Sequence, residues 1–88
     1  MTRFQVEVVV TLRPVINDPQ GISVRHGLHQ LGFTEVVTAR VGRLVQLEVD
    51  AADEAAAYAR VEGMCEQLLS NPVLEDWRIG AVSPAVEA

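Results

Sequence analysis

Eighty-eight residues leave room for one domain, and a single cysteine, Cys65, rules out an intrachain disulfide. Seven basic against 12 acidic residues give a net charge of −5, the wrong sign for a nucleic-acid partner, whose affinity rests on neutralised phosphates. No run approaches the roughly 20 apolar residues of a membrane span, and Met1-Thr2-Arg3-Phe4-Gln5 lacks the apolar stretch of a signal peptide; the expectation is a soluble cytoplasmic protein that avoids membranes.

The first element predicted is a strand over residues 3–12, where Phe4, Val6, Val8, Val10 and Leu12 alternate at period two. Pro14 stops it. Asn17-Asp18-Pro19 then supplies a helix cap followed by proline at the first helical position, where a missing N–H costs nothing. Val24, Leu28 and Leu31 form the stripe expected to be buried on this first helix, and Gly32 is placed for the left-handed C-cap, with Phe33 folding back. Two alternating runs follow, Val37-Ala39-Val41 and Val45-Leu47-Val49, and a tight turn at Gly42-Arg43 would make them a hairpin. Asp50 or Asp53 can cap a second helix whose Ala57, Val61, Met64, Cys65 and Leu68 share a face, and Asn71-Pro72 ends it. A last strand over 73–82 carries Trp77, Ile79 and Ala81 on one side. The domain spans 1–82, and 83–88 reads as a flexible tail.

Strand, helix, strand, strand, helix, strand is the ferredoxin-like βαββαβ order, an α+β fold. It predicts a four-stranded antiparallel sheet with both helices on one face, because right-handed crossovers carry both to the same side. The opposite face would then hold Val9, Val36 and Leu44, apolar groups that a solvated face usually replaces with charge. This marks it as a surface for another copy of the chain.

Residues suited to chemistry are few. His26 and His29 stand three apart on the first helix without a third metal ligand at a telling spacing, and Cys65 lies on an apolar stripe, where a thiol behaves as a small hydrophobe. No phosphate loop or nucleophile elbow is present in the sequence. The segment that stands out is Asp18-Pro19-Gln20-Gly21. A glycine in a first helical turn costs about 1 kcal/mol relative to alanine, which suggests a close approach by another backbone or an anion; plain capping accounts for the segment equally well.

Together, Val10 to Gly21, Leu28 to Phe33, Arg40-Val41-Gly42-Arg43 and Met64 to Asp76 resemble the PurS family, small subunits of phosphoribosylformylglycinamidine synthase. The resemblance spans residues 4–82. It implies a chain without catalytic residues or a bound cofactor, acting in de novo purine synthesis. It would bridge a glutaminase subunit (PurQ) that releases ammonia and a synthetase subunit (PurL) that holds ATP and Mg²⁺, and would itself be a homodimer or tetramer. Asp18, Pro19, Gln20, Gly21 and Arg43 are then the expected partner contacts, with Arg43 standing where the family usually carries lysine. The alternative is a small-molecule-sensing regulatory domain of the same element order, which would need a glycine-bearing, ligand-gripping loop after strand one, for which Asp18-Pro19-Gln20-Gly21 can be mistaken.

Overall fold

The β-branched alternation near the N-terminus does produce a strand, β1 (Thr2–Leu12), and it lies at the centre of the sheet. The structure, a computed structural model, describes residues 1–85. Antiparallel partners flank β1 on both sides, β2 (Gly42–Ala51) and β3 (Glu75–Pro84), in the order β2-β1-β3. Helix α1 (Pro19–Gln30) lies between β1 and β2, and α2 (Glu54–Met64) between β2 and β3. The α+β class is as expected, but among the described residues the sheet has three strands and not four.

The missing strand is the 35–41 run. It turns at 34–35 and then runs on without joining the sheet, and two of its backbone groups have partners outside it: the Val36 carbonyl meets the His29 ring and the Val41 N–H meets the Asp18 carboxylate. No hairpin forms at Gly42-Arg43, which instead open β2 opposite Thr11 and Val10. Gly42 is needed there because a Cβ would come within 2.4 Å of the Val10 carbonyl oxygen.

The core lies on one face of the sheet. Phe4, Val6, Val8 and Val10 pack under Ala57, Val61 and Cys65, with Val45, Leu47, Val49, Trp77, Ile79 and Val82 at its margins. Each valine removed from water in this way contributes roughly 1.5–3 kcal/mol. Asp53, not Asp50, caps α2, its carboxylate accepting the Ala56 N–H at 2.8 Å. After Met64 the helix widens into a π-turn, Cys65–Leu69, closed by Ser70 N–H to the Cys65 carbonyl. The wider turn rotates Leu68 off the stripe, and it is 83 % exposed.

Three further expectations change. Gly80 is an extra residue in β3, because Val8 pairs with Ile79 while Glu7 pairs with Ala81; this bulge turns Ala81 to the outer face and Val82 to the core. Ser83 and Pro84 belong to β3 rather than to a tail, and the Ala85 N–H reaches the Arg3 carbonyl; the rest of the expected tail, 86–88, lies outside the described residues.

The third concerns α1, which does not cover the sheet. Gly21 is its only buried residue, and among the described residues no hydrophobic side chain of α1 packs against the core. Val24 is 45 % exposed and Leu31 75 %. The crossover rule fails here because 35–41 never enters the sheet, so nothing pulls α1 over it. The C-terminal turn of α1 does form as expected: Gly32 has φ 98°, its N–H reaches the His29 carbonyl, and the Phe33 N–H reaches that of Leu28. Helix α1 and the return segment 31–41 therefore make an arm, and the molecule measures 50 × 33 × 16 Å. Its radius of gyration is 16.5 Å, where a compact chain of this length would have about 12 Å. Among the described residues no helix is long and apolar enough to cross a membrane.

Candidate functional site

The sequence singled out the start of α1 and Arg43, and the fold brings both to one corner of the sheet, beside the exit of β1. Asp18 takes an extended conformation (φ −116°, ψ 90°) that leads into α1. One of its oxygens accepts the Gly21 N–H at 2.9 Å and the other accepts the Val41 N–H at 2.8 Å. The carboxylate is 5 % exposed. The Val41 N–H, then that of Gly21, hold its pKa below the usual carboxylate range. Pro19 fills the first helical position, and Pro19 and Gln20 face solvent.

Gly21 does meet a backbone closely, and it is the chain's own. A Cβ at this position would lie 2.3 Å from the Ala39 carbonyl oxygen, so glycine is what lets the first turn of α1 lie against the return segment. Beside this contact runs an open groove of about 200 Å³ between Ile22 and Arg25 on α1 and Val37, Thr38 and Arg40 on the return segment.

Arg40 was quoted above only for family likeness, but it is the busiest side chain at the corner. Its guanidinium donates to the carbonyls of Arg13 at 2.8 Å, Leu12 at 3.2 Å and Ile16 at 3.3 Å, and stands 4.0 Å from Asp18. Arg13 in turn reaches the Pro72 carbonyl and lies 3.7 Å from Asp76, while its N–H meets the Leu74 carbonyl at 2.9 Å. Nothing in the local pattern marks Arg13 or Arg40, since each acts on carbonyls far away in sequence. That every one of the seven basic residues is arginine is the one hint: a planar fork satisfies several carbonyls at once, and an ammonium does not.

Arg43 is not at an exposed tip. It crosses over Val10 on the core side of the sheet and grips the Glu75 carboxylate with both terminal nitrogens, while also donating to the Leu69 carbonyl at 2.6 Å. Glu75 accepts the Asn71 N–H as well, and Arg43 first, then Asn71, depresses its pKa. Arg43 thus ties β2 to the π-turn and to the start of β3, although its side chain remains half exposed.

The outer sheet face carries Val9 and Leu44 as expected, Val9 partly covered and Leu44 55 % exposed. Val36 is not among them, because it belongs to the arm. Polar pairs fill much of the remainder: Arg3 with Asp50 at 2.9 Å and Gln46 with Glu7 at 3.3 Å.

His29 has a structural task. Its Nε2 sits 2.7 Å from the Val36 carbonyl, which can only accept, so this nitrogen carries the proton. Cys65 is fully buried, and desolvation, reinforced by Glu62 and Glu66, raises its thiol pKa. The corner is a frame of committed arginines and carboxylates around a short groove, suited to holding surfaces in place.

A family model for PurS, phosphoribosylformylglycinamidine (FGAM) synthase, matches residues 5–83. The chain belongs to the PurS family. The FGAM synthase PurS subunit of Synechocystis sp. is 40 % identical over 92 % of this chain and 87 % of its own length. The structure of Thermus thermophilus PurS aligns with a TM-score of 0.86 at 31 % identity, over 96 % of this chain and 99 % of that one. A chain in the structure of PurLQS from Thermotoga maritima aligns with a TM-score of 0.82 at 32 % identity, over 97 % of this chain and 100 % of that one. The activity served is therefore FGAM synthesis in purine biosynthesis, with this chain as the PurS subunit. These matches give the regulatory, ligand-sensing reading no support.

Proposed function

We propose that this PurS chain is the non-catalytic docking subunit of its synthase, holding a glutaminase subunit, PurQ, against a synthetase subunit, PurL, so that ammonia passes from one to the other. ATP and Mg²⁺ belong to the synthetase subunit, and the chain itself works as a homodimer or tetramer. The observation that carries this reading is the full-length likeness to a chain of PurLQS. A second supports it: Ile22, Val24, Leu31, Phe33 and Val37 are all exposed on the arm in the single chain, which is what an element completed by another chain looks like. Asp18 to Gly21 and Arg43 act in this reading as the frame behind the contact surface. Reconstitution tests it. Glutamine-dependent FGAM formation should require this chain together with both larger subunits, and the chain alone should neither hydrolyse glutamine nor consume ATP. Full glutamine-dependent turnover by the two larger subunits without it would overturn the reading.

A further inference from the structure

We infer that Asp18 is a positioning residue, whose buried carboxylate ties α1 to the entry of β2 and so sets the direction in which the arm is presented to a partner. The inference rests on the docking reading above and says which residue aims the docking surface. Among the described residues α1 has no hydrophobic anchor in the core, and its direction comes from polar contacts. At its far end the His29 ring holds the Val36 carbonyl, which makes α1 and the return segment one unit. At its near end Asp18 holds the first turn of α1 against the last residue of the return segment, where the chain enters β2. The two carboxylate oxygens take N–H groups from different segments, Gly21 in α1 and Val41 one residue before β2. Arg40 reinforces the tie by donating to the Leu12 carbonyl at the end of β1 and to those of Arg13 and Ile16 in the connection to α1. Because Asp18 is 5 % exposed, a partner cannot read it directly and senses only where the arm points.

An ordinary helix cap makes a different forecast, and α2 supplies the control. Asp53 caps α2 through a single N–H, that of Ala56. Asparagine caps about as well as aspartate, so Asp53→Asn should change little. Asp18→Asn keeps one acceptor oxygen but turns an NH2 group towards the second N–H, so one tie is lost without a change of shape. The test compares wild type, Asp53→Asn, Asp18→Asn, Arg40→Met and the Asp18→Asn/Arg40→Met double variant. The readouts are amide hydrogen exchange of the free chain and affinity for the reconstituted glutaminase and synthetase subunits. For Asp18→Asn, exchange across 19–41 should rise roughly ten- to hundredfold, as expected on losing a hydrogen bond to a charged group, while β1 and β2 amides stay protected. Affinity should fall by a similar factor, and the double variant should be little worse than Asp18→Asn. Asp18→Asn behaving like Asp53→Asn, or loosening the arm with affinity unchanged, would overturn the inference and leave docking intact. A uniform rise in exchange over the sheet would also overturn it, by making Asp18 a general stability residue. A wild-type chain that binds neither larger subunit would remove the docking reading and this inference together.

Discussion

Val61 on α2 is fully buried, whereas Val24, on an equally apolar stripe of α1, is 45 % exposed. The body of the molecule, three strands and α2, buries its central apolar stripe within one chain, with Leu44 and Leu68 left outside it. The arm, α1 and residues 31–41, leaves apolar side chains exposed, and its β-branched 35–41 run pairs with no strand among the described residues. The contrast teaches that a sequence pattern records where burial and pairing are finally satisfied, which need not be inside the chain that carries it.

The largest effects should come from the body. Val8→Asp places a charge without a partner under α2, and urea unfolding should show a loss of more than about 4 kcal/mol or no folded protein at all. Gly21→Ala tests the junction between the regions. Its methyl would collide with the Ala39 carbonyl, and overpacking of this kind costs about 1–3 kcal/mol; exchange should rise in the arm and not in the sheet.

Much of the body was legible in the sequence. Phe4, Val6, Val8 and Val10 alternate and are buried, and Ala57, Val61 and Cys65 share the face that covers them; in the arm, Gly32 closes α1 as its position foretold. The errors have specific physical causes. Alternation at 35–41 signals an extended backbone but not a neighbour to pair with, and here Asp18 and His29 take its polar groups. Leu68 left its stripe because a π-turn changes the angular step, and Ala81 changed face because Gly80 bulges. The candidate site was half visible. Asp18 as a cap and Gly21 as a point of close approach follow from local chemistry. Arg40 and the Arg43–Glu75 pair depend on contacts 24 to 32 residues apart in sequence, and no local pattern encodes those.

Acid should act on both regions. Asp18, Asp50 and Glu75 all have depressed pKa values, through the Val41 and Gly21 N–H groups, Arg3 and Arg43 respectively. A carboxylate held below its ordinary value stabilises the folded chain above that value, and the contribution is lost as the pH falls through the folded-state pKa. The urea midpoint should hold steady near neutrality and decline below about pH 4. Smaller still is Arg43→Met, which breaks a half-exposed bidentate pair that also holds the Leu69 carbonyl and should cost about 1 kcal/mol in urea unfolding.

Val24→Asp should have the smallest effect on folding, within about 0.5 kcal/mol of wild type, because the site is open to water in the single chain. Its effect belongs to assembly, and light scattering on this variant beside the wild type, at micromolar concentration, is the most direct test of the claim that another chain completes the arm. The account predicts that the wild type scatters as two or more copies of the 9.6 kDa chain and that Val24→Asp shifts towards one copy while its urea midpoint is unchanged. A wild type that scatters as a single chain, or a Val24→Asp variant that assembles as well as the wild type, would contradict it.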